Sequence, residues 1–431
     1  MKTILIAALW APLLAAQATD NTQLKQVIVF GRHSVRSPLA TNSTLNQYSA
    51  GAYPQFSVQP GYLTANGAAL ETILGGYYRA WLTKEGLLIG NDASDAKLVY
   101  FRANNIERTI ATAQAFAVGM LPAAPPPVDF LPAGVDPLFD PMDAGVSHLD
   151  SRQAVAAVSG RLGGNPQSLS SAYAAEFALA RSVLFGYPLG QTPVPATPEG
   201  KTDPTAIPIG AAPGVPGLPV DLGGLLTIES VTTPFLLEYA DGMQPSDVAW
   251  GRLTADQISQ LTRITQLLLD LEYRTPYVAR VLSSNLASHV VRSLQQAATG
   301  NTMAGSLGNP QTKVMVLIAS DVNVTSLAGL LHLDWTLPGY QENFCALGGA
   351  LVFELRQSRS TGEYVVRASY VTQSLDQLRN RTVLTLSAPP SVAPVFIPGC
   401  STASAKFDCP LSGFVRVADA AIDQKSADLT H

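Results

Sequence analysis

Charge and reactive side chains are scarce in this chain. Of its 431 residues only 14% are Asp, Glu, Lys or Arg, and the formal net charge is −5. Nucleic-acid binding needs a broad basic face, so that class is excluded and any positive field must be local. There are five histidines, His33, His148, His289, His332 and His431, and no two stand at metal-ligand spacing; neither a metal nor another cofactor is expected. There are three cysteines. Cys400 and Cys409 lie close together and read as a disulfide closing a small loop, which leaves Cys345 as a buried thiol. Long apolar runs are missing as well. The run from Ile4 to Leu14 is too short to span a bilayer; it follows Lys2 and precedes Ala16-Gln17-Ala18, the pattern of a signal peptide cleaved after Ala18. A periplasmic or secreted protein without a membrane span is therefore expected.

What the chain does have is 47% apolar residues, enough for a packed globular protein of one large or two smaller domains. Its most informative stretch begins at Gln26. Val27 to Phe30 are β-branched or aromatic, stop at Gly31, and read as a buried strand. Arg32, His33 and Arg36 follow at once, closed by Pro38. Two guanidiniums around one imidazole suit a dianion: arginine forks match phosphate oxygens, and histidine is able to take up a phosphoryl group.

Two more strand ends carry similar chemistry. Lys97 to Phe101 reads as a strand, and Arg108 then falls in the first turn of a helix, a position that favours anions. Lys313 to Ala319 is a continuous apolar run of the kind found inside parallel sheets, and it ends in Ser320-Asp321. In a phosphomonoesterase His33 would attack phosphorus, Arg32, Arg36 and Arg108 would hold the equatorial oxygens, and Asp321 would protonate the leaving alcohol. Taken singly, Asp321 equally suits an N-cap and Arg108 a salt bridge to a sheet-end carboxylate. Elsewhere, helical periods run from Thr64 to Trp81, roughly Ser151 to Ser182, Thr227 to Ala240, Thr254 to Glu272 and Tyr277 to Ala298. Pro/Gly-rich segments lie at Leu121–Pro141 and Tyr187–Gly224, the latter an elaborated loop or hairpin; Gly349–Leu355 and Gly362–Val371 look like an antiparallel pair.

With these residues in place the sequence resembles the histidine acid phosphatases, the branch that includes bacterial periplasmic phytases and glucose-1-phosphatases. Their Arg-His-Gly-x-Arg-x-Pro motif stands here as Arg32-His33-Ser34-Val35-Arg36-Ser37-Pro38, and their His-Asp as Ser320-Asp321. Leu63-Thr64 with Gly67, Glu107-Arg108-Thr109, Asp136 to Phe139, Gly242-Met243, Trp250-Gly251-Arg252, Arg274-Thr275-Pro276, Trp335 to Gly339 and the Cys400/Cys409 pair extend the likeness along nearly the whole chain. The resemblance implies an α/β fold with a mostly parallel central sheet flanked by helices, and a second, mostly helical cap domain. On that basis residues 1–18 are the signal peptide, 19–135 and 300–431 the α/β core, and 136–299 the cap. It also implies a monomer acting on a small-molecule phosphate ester, with the active site between the two domains.

The departures from the family pattern lie at the pocket. Ser320 replaces a phosphate-donating histidine, and Ser34 replaces a glycine beside the nucleophile. Leu39 and Ala40 stand where phytases carry threonine and lysine, Val322 where a threonine follows the aspartate, and Thr233 and Asn104 where acidic residues are usual. Together with Met243 and Arg274 these are the expected substrate-pocket residues. A rim that has lost charge points to an ester less charged than phytate. The alternative is a repurposed fold with weak or no phosphatase activity, binding a ligand or acting on a non-phosphate substrate.

Overall fold

A computed structural model describes residues 20–428, so the expected signal peptide lies outside the described residues. Among the described residues ten strands form: β1 (Thr22–Arg32), β2 (Val99–Ala103), β3 (Val128–Asp129), β4 (Ile209–Val215), β5 (Leu218–Gly223), β6 (Val314–Ala319), β7 (Ala350–Ser358), β8 (Tyr364–Thr372), β9 (Ser391–Val395) and β10 (Cys409–Pro410). The main sheet runs β10-β8-β7-β1-β6-β2-β3, with β9 also on β8; β4 and β5 make a separate hairpin inside the Pro/Gly-rich segment. Strands β1, β6, β2 and β3 are mutually parallel, and β7 onward is antiparallel.

The parallel centre explains the unbroken apolar runs. Alternate residues of β1 and β6 point to opposite faces, and both faces are covered. Ile28, Phe30, Met315 and Leu317 pack under helices Pro276–Thr299, Asp321–Leu331 and Leu411–Ala421. Val27, Val29, Val314 and Val316 pack under helices Ala65–Lys84 and Glu107–Met120. Those last two helices approach closely because of two glycines. A Cβ on Gly75 would lie 2.2 Å from the Phe116 carbonyl oxygen, and one on Gly119 2.0 Å from that of Thr72.

Helices Ser151–Arg161, Ala174–Phe185, Gly224–Ala240 and Ala255–Tyr273 surround a separate apolar cluster that includes Val158, Leu184, Phe235 and Ile264. The helical period expected from Ser151 to Ser182 is broken here. Gly163 and Gly164 both take positive φ and Pro166 follows, so the chain turns before Ser168. The helix after β6 starts directly beyond the strand, at Asp321. The Cys400–Cys409 disulfide is formed and Cys345 is a buried free thiol. Among the described residues no helix is long and apolar enough to cross a membrane.

Candidate active site

Parallel pairing brings the two motif-bearing strand ends together. Arg32 is in register with Ala319, and the His33 amide donates to the Ala319 carbonyl at 2.9 Å. Asn104, at the end of β2, likewise donates its amide to the Ile318 carbonyl. Residues far apart in sequence therefore converge at the carboxyl edge of the sheet, where helices Glu107–Met120 and Asp321–Leu331 start.

His33 is 1% exposed. Its Nδ1 lies 2.8 Å from the Ser34 carbonyl oxygen, and a carbonyl only accepts, so Nδ1 carries the proton and the Nε2 lone pair is left free. Burial, then the charges of Arg32, Arg36 and Arg108, hold the imidazole well below its ordinary pKa. A neutral ring with a bare Nε2 is the nucleophilic form.

The guanidiniums are held by different partners. Arg32 donates to the Cys345 carbonyl at 2.5 Å through Nη1 and pairs with Asp321 through Nη2 at 2.9 Å. Arg36 donates to the Ser37 carbonyl, and burial with the nearby Arg32 lowers its pKa to about 10. Arg108 makes no ion pair among the described residues. The Nε atoms of all three are buried without a protein acceptor. Three crowded cations with unspent donors form an anion site by construction.

Asp321 is the first residue of its helix; Ser320 occupies the cap position, and the Ser320 amide donates to Asn323 Oδ1 at 3.1 Å. Asp321 is therefore free of the capping role. Burial pushes its carboxyl up, but Arg32, Arg36, the Val322 amide and Arg108 outweigh burial and hold it below the usual range.

A family model described as histidine phosphatase superfamily (branch 2) matches residues 23–176 and 236–371. The chain belongs to this superfamily. Phytase AppA of Escherichia coli (strain K12) is 30% identical over 98% of both chains. Glucose-1-phosphatase of Salmonella typhimurium is 30% identical over 96% of this chain and 97% of its own. Among solved structures, Hafnia alvei phytase in complex with tartrate superposes with a TM-score of 0.85 at 31% identity, covering 95% of this chain and 100% of that one.

Against this histidine phosphatase frame the expected pocket residues separate. Leu39 is 61% exposed, and its Cδ2 and Arg108 Nη1 both approach Gly61. Ala40 packs toward the apolar cluster of the helical region. Thr233 donates to Glu229 Oε1 at 2.5 Å. Asn104 is buried and spent on Asp140 at 2.9 Å, and Val322 packs against the apolar layer beside Asp321. Met243 packs near Tyr239, with its carbonyl accepting from Arg379. Arg274 pairs with Asp334 and Asp270 and touches Gly329, near the far end of the helix that Asp321 begins. Gly329 stands eight residues after Asp321, roughly 12 Å along the helix.

Three site residues escaped the sequence reading. Thr112 Oγ1 accepts from the Ser34 amide at 3.2 Å, and Glu71 lies buried beside the Ser34 hydroxyl. Glu229 faces the arginines from the helical side. Its spacing of four from Thr233 on one helix was the available signal.

Proposed function

We propose that this chain is an exported, monomeric phosphomonoesterase that needs no metal and passes through a phosphohistidine at His33. The support is one arrangement: a neutral imidazole with a bare Nε2 enclosed by Arg32, Arg36 and Arg108. Nε2 attacks phosphorus, the P–O ester bond breaks, and the leaving oxygen takes the proton of Asp321. Water then attacks the phosphohistidine, Asp321 recovers a proton from it, and inorganic phosphate leaves neutral His33. Asp321 is ionised beside Arg32 before substrate arrives. A bound dianion offsets the arginine charges, and burial then favours the protonated acid.

The rim supports a less charged ester than phytate, because no lysine stands at Leu39 or Ala40 and Leu39 presents an apolar surface. We divide the molecule into a catalytic α/β unit, 19–135 with 300–431, and a helical cap, 136–299. The relatives named phytase and glucose-1-phosphatase agree with the reaction class.

The test is phosphate release from an aryl phosphate at acid to neutral pH, beside His33→Ala and Asp321→Ala. Turnover that His33→Ala abolishes, and that Asp321→Ala lowers by about tenfold at most on so good a leaving group, is expected. Release no faster than the His33→Ala background would overturn the reading. That second outcome belongs to the repurposed-fold alternative, which Ser34 and Ser320 favour.

A further inference from the structure

Ser34 stands at the hinge of the nucleophile segment. Its carbonyl oxygen lies 2.8 Å from His33 Nδ1 and so sets the tautomer and direction of the ring. Its amide donates to Thr112 Oγ1 at 3.2 Å, and Thr112 Oγ1 donates in turn to the Arg108 carbonyl at 2.6 Å. The His33 carbonyl, in the same peptide group as that amide, accepts from the Gly348 amide at 3.2 Å. Thr112 and Gly348 thus brace the peptide before Ser34. The carbonyl that orients His33 belongs to the next peptide, which they do not touch. One handle on it remains, the Ser34 hydroxyl, and the glycine of the family pattern has no such group.

Glu71 meets that hydroxyl. It lies one turn beyond Gly67 on helix Ala65–Lys84, and Gly67 brings this helix onto Val35: a Cβ there would sit 3.0 Å from the Val35 amide nitrogen. A Cβ built on Gly348 would lie 2.4 Å from Glu71 Oε1 and 3.7 Å from Ser34 Oγ, so the two oxygens converge on one spot. Both residues are buried, and neither oxygen bonds to another group among the described residues. Glu71 makes no ion pair there either. A carboxyl buried without a cation favours the neutral acid, whose O–H is able to donate to a hydroxyl oxygen. Burying it is costly, and the Ser34 hydroxyl is the polar side chain that acts on it. We infer that Glu71 is a positioning residue: by holding the Ser34 side chain it fixes the carbonyl that aims the His33 ring. This rests on the phosphatase reading above and adds to it a support that glycine at position 34 would forfeit.

The experiment measures kcat and KM on phenyl phosphate for wild type, Glu71→Leu, Glu71→Gln, Ser34→Ala and the double variant Ser34→Ala/Glu71→Leu. The His33 Nδ1–H resonance is followed in the same proteins with isotope-labelled histidine. Glu71→Leu should lower kcat on the order of tenfold, with KM within about twofold, and broaden or shift the resonance. Glu71→Gln supplies a neutral donor and should recover most of the rate and the signal. Ser34→Ala should match Glu71→Leu, and the double variant should fall no further than either single change, because both break the same link. Wild-type kcat in Glu71→Leu, losses that multiply in the double variant, or a His33 signal unmoved by every variant would overturn the inference. Should Glu71→Leu fail to fold, Ser34→Ala decides, since it removes a single oxygen; an unchanged kcat and resonance there would overturn the inference. A wild type that releases no phosphate would defeat the phosphatase reading instead, while the resonance still decides whether Glu71 aims the ring.

Discussion

Arg32 Nη2 and Asp321 Oδ2 lie 2.9 Å apart, so the residue proposed to donate the proton is tied to the arginine beside the nucleophile. The pair links the two halves of the site and keeps Asp321 ionised until an anion competes for Arg32. Removing the acid should therefore matter in proportion to how much the leaving group needs a proton. Asp321→Asn is expected to slow p-nitrophenyl phosphate by tenfold or less, and an alkyl phosphate by on the order of 10²–10⁴. Equal losses on both esters, measured as kcat, would remove Asp321 from the protonation step.

Ser320 sets up a trade between stability and rate. It occupies the cap of helix Asp321–Leu331, and serine is far better there than a large side chain. Ser320→His should add a donor at the phosphate and raise kcat on simple monoesters by roughly tenfold or more. The same change should cost about 1 kcal/mol in urea unfolding. A fall in kcat would show that the pocket has been rebuilt around serine.

The fold was legible where chemistry is local. Val27–Phe30 and Val314–Ile318 announce central strands because both of their faces are buried, and Arg32, His33, Arg108 and Asp321 follow strands within a few residues. The relation of Glu229 to Arg36 was not legible, since it depends on how a helix nearly two hundred residues downstream packs over the sheet. Strand β9 and helix Leu411–Ala421 were missed because Pro, Ser and Gly interrupt their surroundings and no long period develops. The split at Gly163–Gly164 was readable in principle, from the pair of glycines followed by Pro166.

Gly67, conspicuous in the sequence, has a steric explanation. A Cβ on it would sit 2.2 Å from the Val35 carbonyl oxygen, which already accepts from the Thr64 amide at 3.0 Å. Gly67→Ala must push the start of helix Ala65–Lys84 away from the segment between His33 and Arg36. The expected cost is about 1–3 kcal/mol of stability, with a fall in kcat as His33 and Arg36 lose their mutual placement. A Tm and kcat both equal to wild type would contradict this.

Stability should also fall as pH rises from acid toward neutral. Glu71, Glu238 and Glu272 are each buried, and burial raises each pKa from 4.5 to about 8. Between those values the folded protein binds more protons than the unfolded chain, so the derivative of unfolding free energy with pH is negative. The stabilisation is complete below about pH 4.5 and is lost progressively up to about pH 8. Asp321 runs the other way, because its pKa is lowered and its contribution disappears as pH falls through the acid range. Optimum stability should lie near pH 5, with urea midpoints declining toward pH 8. Glu71→Gln removes one titrating site and should flatten the decline by roughly 1–3 kcal/mol over that window. Since Glu71 also lies beside the Ser34 hydroxyl, next to the nucleophile, the same variant should blunt any alkaline loss of kcat. A stability profile for Glu71→Gln parallel to wild type from pH 5 to 8 would show that this carboxyl is already ionised in the folded protein.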